Sequence, residues 1–292
     1  MAKGFGSQGG SDRRDGRLLR TLDSFARYFP FFMPSRGESF DFYEECFDIT
    51  PCSAWIKAQR SKGYSSMSFL HLLIAAYIRV ISALPGLNRF VAGRRVYARN
   101  GIDVTVVVRR GNEIDAPTAP VKVSFEPSDT VYEVYSKLND KLESLREEDG
   151  NDATLFAVKT GSSARLLAGL YLRFLAFLDR LGFLPQRLER LSPLHSSVMI
   201  SDMRCMGITP MHHHVHELGS IPVYISCGAA QRTEEKQEGK TVERRFIELR
   251  FSLDSRTVSP SYYAAGFKLL GELFADPGLL EVPPVRVHDD IY

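Results

Sequence analysis

Histidine is concentrated in one short segment of this 292-residue chain. Five of its seven histidines lie between His195 and His216, and four fall within Met211–Glu217, which reads MHHHVHE. Imidazole titrates near neutral pH and ligates metals, so the segment could supply a general base, for which His213 and His214 are the candidates. Only alternate members, such as His212, His214 and His216, could share a metal ion, because neighbours in an extended segment point to opposite sides. The third alternative is a solvated loop that packs some of its histidines, and we expect no bound metal.

The elements that must position these residues form a mixed α/β pattern. Apolar alternation and short apolar runs predict strands at 39–49, 90–91, 96–97, 104–108, 121–125, 197–201, 221–227 and 245–253. Helices are predicted at 18–28, 50–59, 68–84, 131–146 and 262–274, with Asp129 capping the fourth. The charged stretch QRTEEKQEGKT at 231–241 should be an exposed hairpin tip. The sequence therefore predicts one α/β (α+β) domain with a mixed, largely antiparallel sheet flanked by helices.

A second helical stretch, residues 165–190, is strongly apolar but carries arginines. Its longest uncharged run has seven residues (166–172), far short of the roughly 20 needed to span a bilayer. Arg173, Arg180 and Arg187 recur every seven residues and form one basic stripe, although Pro185 should break the helix before the third. The stretch could pack on its own sheet or on a neighbouring subunit. The alternative is an interfacial helix on an anionic membrane.

Composition excludes several classes of protein. The 37 basic and 35 acidic residues give a net charge of +2, which argues against a general nucleic-acid binder. Four scattered cysteines without a C-x-x-C motif indicate neither a disulfide scaffold nor a zinc knuckle. Residues 1–16 lack the apolar run of a signal peptide, so we expect a cytoplasmic, reduced compartment. The spacing Gly4-x-Gly6-x-x-Gly9 has no strand before it, so we do not interpret it as a dinucleotide site.

Five segments, taken in order, resemble the acyltransferase catalytic domain of the 2-oxo acid dehydrogenase complexes, which shares its fold with chloramphenicol acetyltransferase. FDITPCSAWIKAQRSKG resembles the opening strand and helix, and SFLHLLIAAYIRVISALPGLNRFVAGRRVY resembles the buried helix, the P-x-x-N turn and a hairpin. VMISDMRCMGI resembles the F-T-I-S-N-L-G strand and turn. LRFSLDSRTVSPSYYAAGFKLLGELFADPGLL resembles the last strand, the D-H-R-x-x-D-G active-site turn and the closing helix. The resemblance covers about residues 38–282, which places the domain at 38–292, with an apolar helical insertion at about 162–191. A flexible basic arm and a short helix precede it at 1–37.

The resemblance implies thioester acyl transfer, with coenzyme A or acyl-CoA as a substrate. In the family, the histidine of the turn acts as base on a thiol or hydroxyl, which attacks the acyl carbon. A serine hydroxyl, matched here by Ser201, stabilises the oxyanion. The subunits form trimers with each site at a subunit boundary, so we expect a homotrimer with a small-molecule acyl donor and acceptor.

The active-site turn departs from the family pattern. In the segment DSRTVSP, Ser255 stands where the catalytic histidine belongs, and Ser259 and Pro260 replace Asp-Gly. A serine hydroxyl cannot act as a base near pH 7, and a positioned base contributes about 10²–10⁴-fold to the rate. Pro260 also forbids the left-handed backbone that glycine allows. Two catalytic positions are changed while Asp254 and Arg256 remain.

Three hypotheses follow. The first is an acyltransferase with an altered catalytic site, in which Ser201, Ser255, His213 and His214 are the candidate residues. The second is a catalytically inactive trimeric pseudoenzyme that serves as a scaffold or acyl-CoA-binding module. The third is a protein docked on a membrane surface through residues 165–190. The 37 residues before the first matching strand are too few for a lipoyl domain, so we expect none in this chain.

Overall fold

The computed structural model describes residues 12–109, 118–147, 165–237 and 240–291. The strands are β1 (Gly16–Leu18), β2 (Phe40–Asp48), β3 (Arg89–Ala92), β4 (Arg95–Arg99), β5 (Ile102–Arg109), β6 (Thr118–Phe125), β7 (Val198–Asp202), β8 (Val223–Cys227), β9 (Gln231–Gln237) and β10 (Lys240–Asp254). The helices are α1 (Ser24–Phe32), α2 (Arg36–Ser39), α3 (Thr50–Ser61), α4 (Phe69–Ala83), α5 (Val131–Glu147), α6 (Arg165–Leu181), α7 (Gln186–Leu191) and α8 (Pro260–Ala275). Residues 1–11, which include Gly4, Gly6 and Gly9, lie outside the described residues.

The main sheet has seven strands, six of them in the order β2-β10-β8-β7-β5-β6, and β9 also pairs with β10. The β5–β7 and β7–β8 pairs are parallel, whereas the other four pairs are antiparallel. This confirms the predicted mixed, largely antiparallel sheet flanked by helices. β10 pairs with three strands, β2 on one side and β8 and β9 on the other, and it lies next to the edge strand β2.

One face of the sheet carries the hydrophobic core. Ile247, Leu249 and Phe251 alternate along β10 and are completely buried, as the period of two requires. The helices α3, α4, α5 and α8 cover this face. α4 is apolar on nearly its whole circumference because it packs between α5 and α8.

A small sheet in the order β1-β4-β3 lies beside the main one. The predicted hairpin is confirmed: β3 and β4 are joined by Gly93 and Arg94, which have φ angles of 55° and 63°. Both positive φ values match the type I′ turn that suits the twist of a hairpin. Gly93 is required sterically as well, because a Cβ there would lie 2.6 Å from the carbonyl oxygen of Arg180.

Residues 12–15 belong to the fold, although the sequence predicts a flexible arm there. Arg13 is buried and pairs with Asp15 at 2.8 Å and with Asp179 of α6 at 2.9 Å. Asp179 also lies 3.2 Å from the His195 ring. Burial opposes ionisation of Asp179, but the contacts with His195 and Arg13 outweigh it and lower its pKa to about 2. This charged cluster fastens the start of the chain and α6 to the domain.

The first helix differs from its predicted bounds at both ends. The helix predicted at 18–28 begins at Ser24, since the Asp23 carboxylate accepts hydrogen bonds from the backbone N–H groups of Phe25 and Ala26. It also continues through Pro30, in its last turn, to Phe32.

The cap predicted at Asp129 lies one residue later. Thr130 accepts the backbone N–H of Tyr132, and the Glu133 carboxylate accepts the backbone N–H of Thr130 at 2.8 Å. This reciprocal arrangement is a capping box, in which the third helical residue reaches back to the cap. The start of α5 is therefore set by the pair Thr130 and Glu133.

The stretch predicted as a hairpin tip is a strand pair. Residues 231–237 form β9 and pair with β10 from Lys240 to Phe246. Residues directly opposite each other include the like-charged pair Glu243 and Glu234, but diagonal ion pairs such as Arg244 with Glu235 at 2.9 Å join the two polar strands.

The apolar stretch 165–190 forms two helices separated at Pro185, as predicted. α6 packs on the domain through Leu175 and Asp179, but it leaves much of its apolar surface open to solvent. Its exposed large side chains include Leu170, Tyr171, Leu172, Phe174, Phe177 and Leu181. Within the described ranges, no helix is long and apolar enough to cross a membrane.

Candidate active site

The turn that follows β10 is held by a buried ion pair. The Asp254 carboxylate accepts hydrogen bonds from Nε and Nη2 of Arg256 at 2.8 and 2.7 Å, and both side chains are buried. The Asp254 carbonyl oxygen accepts hydrogen bonds from the hydroxyls of Thr257 at 2.8 Å and Tyr263 at 3.1 Å. These contacts fix the backbone as it enters α8.

Ser255 points into this packed turn. Its hydroxyl donates to the carbonyl oxygen of Ser39 at 2.7 Å, and its backbone N–H donates to the same oxygen at 2.9 Å. The Met33 carbonyl oxygen accepts from Arg256 at 3.2 Å, and the Met33 sulfur lies 3.9 Å from the Ser255 hydroxyl. The segment 33–39 therefore covers the turn from within the same chain, and the Ser255 proton is directed at a backbone carbonyl.

The changed residues Ser259 and Pro260 start a helix. Ser259 is the N-cap residue of α8, and its hydroxyl lies 2.9 Å from that of Ser261. Pro260 is the first residue of the helix, where its fixed φ and missing N–H carry no penalty. Both residues therefore belong to a regular helix N-terminus.

A second group of candidates meets on the sheet face opposite the core. The rings of His213 and Tyr224 stack with centroids 4.5 Å apart, and the Tyr224 hydroxyl interacts with the Ser201 side chain. The carbonyl oxygen of His213 accepts a hydrogen bond from the Ser252 hydroxyl at 2.9 Å. Ser201 and His213, which lie in different segments, are thus joined through one tyrosine.

Burial shifts the pKa of both His213 and Tyr224. It lowers the pKa of the His213 imidazole, and the neighbouring His212 and His214 lower it further. A neutral imidazole can accept a proton at pH 7. Burial raises the pKa of Tyr224 to about 12, with the Ser201 contact acting in the opposite direction, so its hydroxyl keeps its proton.

The other histidines of the segment diverge. His212 lies against Phe42 of β2, with ring centroids 4.9 Å apart, whereas His214 and His216 are exposed. In the part of the chain that the structure describes, no three His, Cys, Asp or Glu side chains come together in a group that could hold a metal ion.

The strand register separates Ser201 from Ser255. Ser201 pairs with Ser226 of β8, which pairs with Arg250 of β10, so Ser201 lies level with Arg250. Ser255 lies five residues further along, at about 3.3 Å per residue, or about 16 Å away in the strand direction. Within a single chain, the strand that carries Ser201 therefore does not end beside the Asp254–Pro260 turn.

Tyr224 is the site residue that sequence reasoning missed. Val223, Ile225 and Cys227 of β8 face the core, so the alternation of the strand places Tyr224 on the opposite face. The register then places it in the same region as Ser201. The alternation could have revealed its face, but only the strand pairing shows its neighbours.

The fold has clear counterparts among solved structures, although no protein-family model and no curated protein matches the chain. A probable dihydrolipoamide acetyltransferase from Listeria monocytogenes aligns with a TM-score of 0.55 and 10% identity, covering 89% of this chain and 95% of its own. A dihydrolipoamide acetyltransferase from Azotobacter vinelandii, whose catalytic mechanism was investigated at a serine, a histidine and an asparagine, aligns with a TM-score of 0.56 and 17% identity, covering 87% and 90%. A chloramphenicol acetyltransferase aligns with a TM-score of 0.51 and 10% identity, covering 89% and 99%.

These alignments confirm the fold that the five segments predict. The chain has the chloramphenicol acetyltransferase-like fold that is found in the catalytic cores of 2-oxo acid dehydrogenase acyltransferases. At 10–17% identity the likeness establishes architecture alone, so the chemistry must be argued from the site.

Proposed function

We propose that this protein is a thioester-dependent acyltransferase whose general base is His213 rather than a residue of the turn. The observation that carries the proposal is the grouping of a neutral imidazole, Tyr224 and Ser201 on the sheet face opposite the core. The donor would be acyl-CoA or a similar thioester, and the acceptor a small molecule with a thiol or hydroxyl group.

In the proposed reaction, His213 takes the proton of the acceptor thiol or hydroxyl. The freed sulfur or oxygen forms a bond to the thioester carbon, and the hydroxyl of Ser201 donates to the oxyanion that develops. The carbon–sulfur bond to the leaving thiol then breaks, and the thiolate takes the proton back from the imidazolium. Tyr224 orients the imidazole by stacking and holds the Ser201 hydroxyl.

The proposed assembly is a homotrimer in which a neighbouring subunit borders the group of His213, Tyr224 and Ser201. Within one chain the Asp254–Pro260 turn lies about 16 Å from Ser201 along the strand direction, so a turn that faces this group would be that of a second copy. β2 supports this, because it is an edge strand whose Phe42 is 54% exposed beside His212.

A second candidate function is a non-catalytic acyl-thioester-binding scaffold. It is favoured by the burial of His213 Nε2, which has no hydrogen-bond partner among the described residues, and by the packing of Met33 over Ser255. Turnover would require the loop carrying His213 to open, whereas binding alone would not.

The test follows thiol release from acetyl-CoA and longer acyl-CoA donors, together with the melting temperature in each donor. We expect His213→Ala to lower turnover by about 10²–10⁴-fold. His214→Ala is the matched control, since that neighbouring imidazole is exposed and should be dispensable. Ser201→Ala should lower turnover because an oxyanion donor is lost, and Ser255→Ala should not.

Each outcome separates the candidates. Thermal stabilisation by acyl-CoA without thiol release in the wild type indicates the binding scaffold. Turnover that survives His213→Ala refutes the proposed base, and neither stabilisation nor turnover with any donor refutes both functions.

A further inference from the structure

A large cavity lies on the side of the molecule where α6 ends. It measures about 1030 Å³ and is bounded by the end of α6, the β3–β4 turn and residues 34–36. Seven arginines and three carboxylates line it, so its walls are strongly basic. The proposed acyltransferase chemistry uses none of these residues.

Arg36 is the most buried cation of the cavity. The residue is only 4% exposed, and its Nη1 donates to the carbonyl oxygen of Ile221 at 3.1 Å. Its Nη2 is buried without a hydrogen-bond partner within the described chain. Glu217 accepts the backbone N–H of Arg36 rather than its guanidinium. Burial lowers the pKa of Arg36 to about 10, so the group remains a cation at pH 7 with an unmet donor.

Among the described residues no carboxylate forms an ion pair with the Arg36 guanidinium, although Asp254, Glu217 and Asp179 lie near enough to favour its charged form. The two other buried arginines of the cavity, Arg13 and Arg256, are already paired with Asp179 and Asp254. Arg94, Arg95 and Arg180 are exposed at the rim and have no carboxylate partner in the residues that the structure describes. A multiply charged anion would therefore meet one buried and several flexible guanidinium groups.

Apolar side chains also line the cavity. Phe177 and Leu181 of α6 and Phe183 just after it belong to this lining, and Phe183 is 71% exposed. The guanidinium of Arg94, another lining residue, lies 5.7 Å from the centroid of the Phe31 ring of α1. Aromatic side chains around a basic cavity suit a ligand that carries both a charged group and a hydrocarbon part.

We propose that this cavity binds a phosphate group, with Arg36 at its base and Arg94, Arg95 and Arg180 at its entrance. A phosphate group offers more oxygens and more negative charge than a single carboxylate, so it can pair with several guanidinium groups at once. The same chemistry has two sources, the headgroup of an anionic phospholipid and a free phosphorylated molecule. The site is distinct from the His213 group and does not depend on acyl transfer.

The test uses two probes. Glycerol 3-phosphate, followed by thermal shift, represents the free source. Phosphatidylcholine vesicles containing a minor fraction of phosphatidic acid, followed by co-sedimentation against pure phosphatidylcholine, represent the lipid source. We expect at least one probe to bind, and Arg36→Gln to weaken that binding by about 10- to 100-fold.

Two further variants are controls, one for misfolding of Arg36→Gln and one for the general effect of removing a positive charge. Arg180→Gln changes an exposed rim residue without disturbing the fold, so it should weaken binding even if Arg36→Gln fails to fold. Arg245→Gln is the matched control, because Arg245 lies on β10 outside the cavity, beside Glu243.

The choice of probe identifies the source. Binding of glycerol 3-phosphate alone indicates a free ligand, and binding of the vesicles alone indicates a lipid headgroup. The proposal is overturned if neither probe binds, or if binding is equal in the wild type, Arg36→Gln and Arg180→Gln. A loss in Arg245→Gln equal to that in Arg180→Gln would also overturn it, because binding would then reflect general charge.

Discussion

Asp254 and Arg256 hold the turn that follows β10 in place. Their two-fold hydrogen bond is buried, and Thr257 and Tyr263 hold the Asp254 carbonyl from the other side. Ser255 adds two hydrogen bonds, from its hydroxyl and its backbone N–H, to the carbonyl oxygen of Ser39. A change of its side chain removes the first of these bonds and leaves the buried ion pair in place.

Removing one member of this pair should be costly. We expect Arg256→Met to lower the free energy of unfolding by about 3–5 kcal/mol, because the Asp254 carboxylate is left buried without its partner. Urea denaturation measures the loss. Arg250→Met is the control, since Arg250 pairs with Glu248 and Glu44 at a part-exposed position and should cost less than about 1 kcal/mol. Equal losses in the two variants would contradict the structural role of the buried pair.

Among the helices and strands, strong sequence patterns predict that an element exists, but they do not predict the exact residue at which it begins. β10 and α4 follow from their alternation and from an apolar run, because burial demands those patterns. The start of α1 depends on which polar side chain caps the first backbone N–H groups of the helix. In the structure that residue is Asp23. The grouping of Ser201, Tyr224 and His213 depends on strand pairing between distant segments, which no local pattern contains.

The N-terminus of α4 has a pH-dependent contribution. His71 Nδ1 accepts the backbone N–H of Ser68 at 3.1 Å, and burial lowers the pKa of this imidazole to about 4. A histidine in the unfolded chain titrates near 6.5, so the stability that neutral His71 provides is complete above pH 6.5. It is lost as the pH falls toward 4, by an amount on the order of 3 kcal/mol.

We expect His71→Gln to flatten the pH dependence of unfolding between pH 6.5 and 4, because glutamine keeps the acceptor for Ser68 but does not titrate. Denaturant unfolding at a series of pH values measures the slope. His214→Gln, at an exposed position, should leave the slope unchanged. A steep slope that persists in His71→Gln would show that other groups cause it.

For the whole molecule, the main consequence of the fold is that two exposed apolar surfaces lie apart from each other. One is at the edge of the sheet, where β2 leaves Phe42 exposed beside His212. The apolar surface of α6 lies elsewhere, next to the arginine-lined cavity. The molecule therefore presents two separate surfaces for contact with other molecules.

We expect mass photometry to show a particle of about three times 32.9 kDa. Phe42→Glu should shift it toward the monomer, because a charge would be placed in the proposed subunit contact. Phe177→Glu, which changes α6 instead, should leave the trimer intact. A wild-type monomer at micromolar concentration, or a trimer sensitive only to Phe177→Glu, would refute the proposed assembly.

The pairing of β2 with β10 also governs the order in which the chain can fold. β2 ends at Asp48, yet its partner runs from Phe246 to Asp254, about 200 residues later in the sequence. During synthesis β2 must wait until nearly the whole domain has left the ribosome, and contacts of such long sequence separation form slowly. The acidic residues of this strand, among them Glu44 and Glu45, keep it soluble during that interval, because charged side chains discourage an unpaired strand from joining another chain.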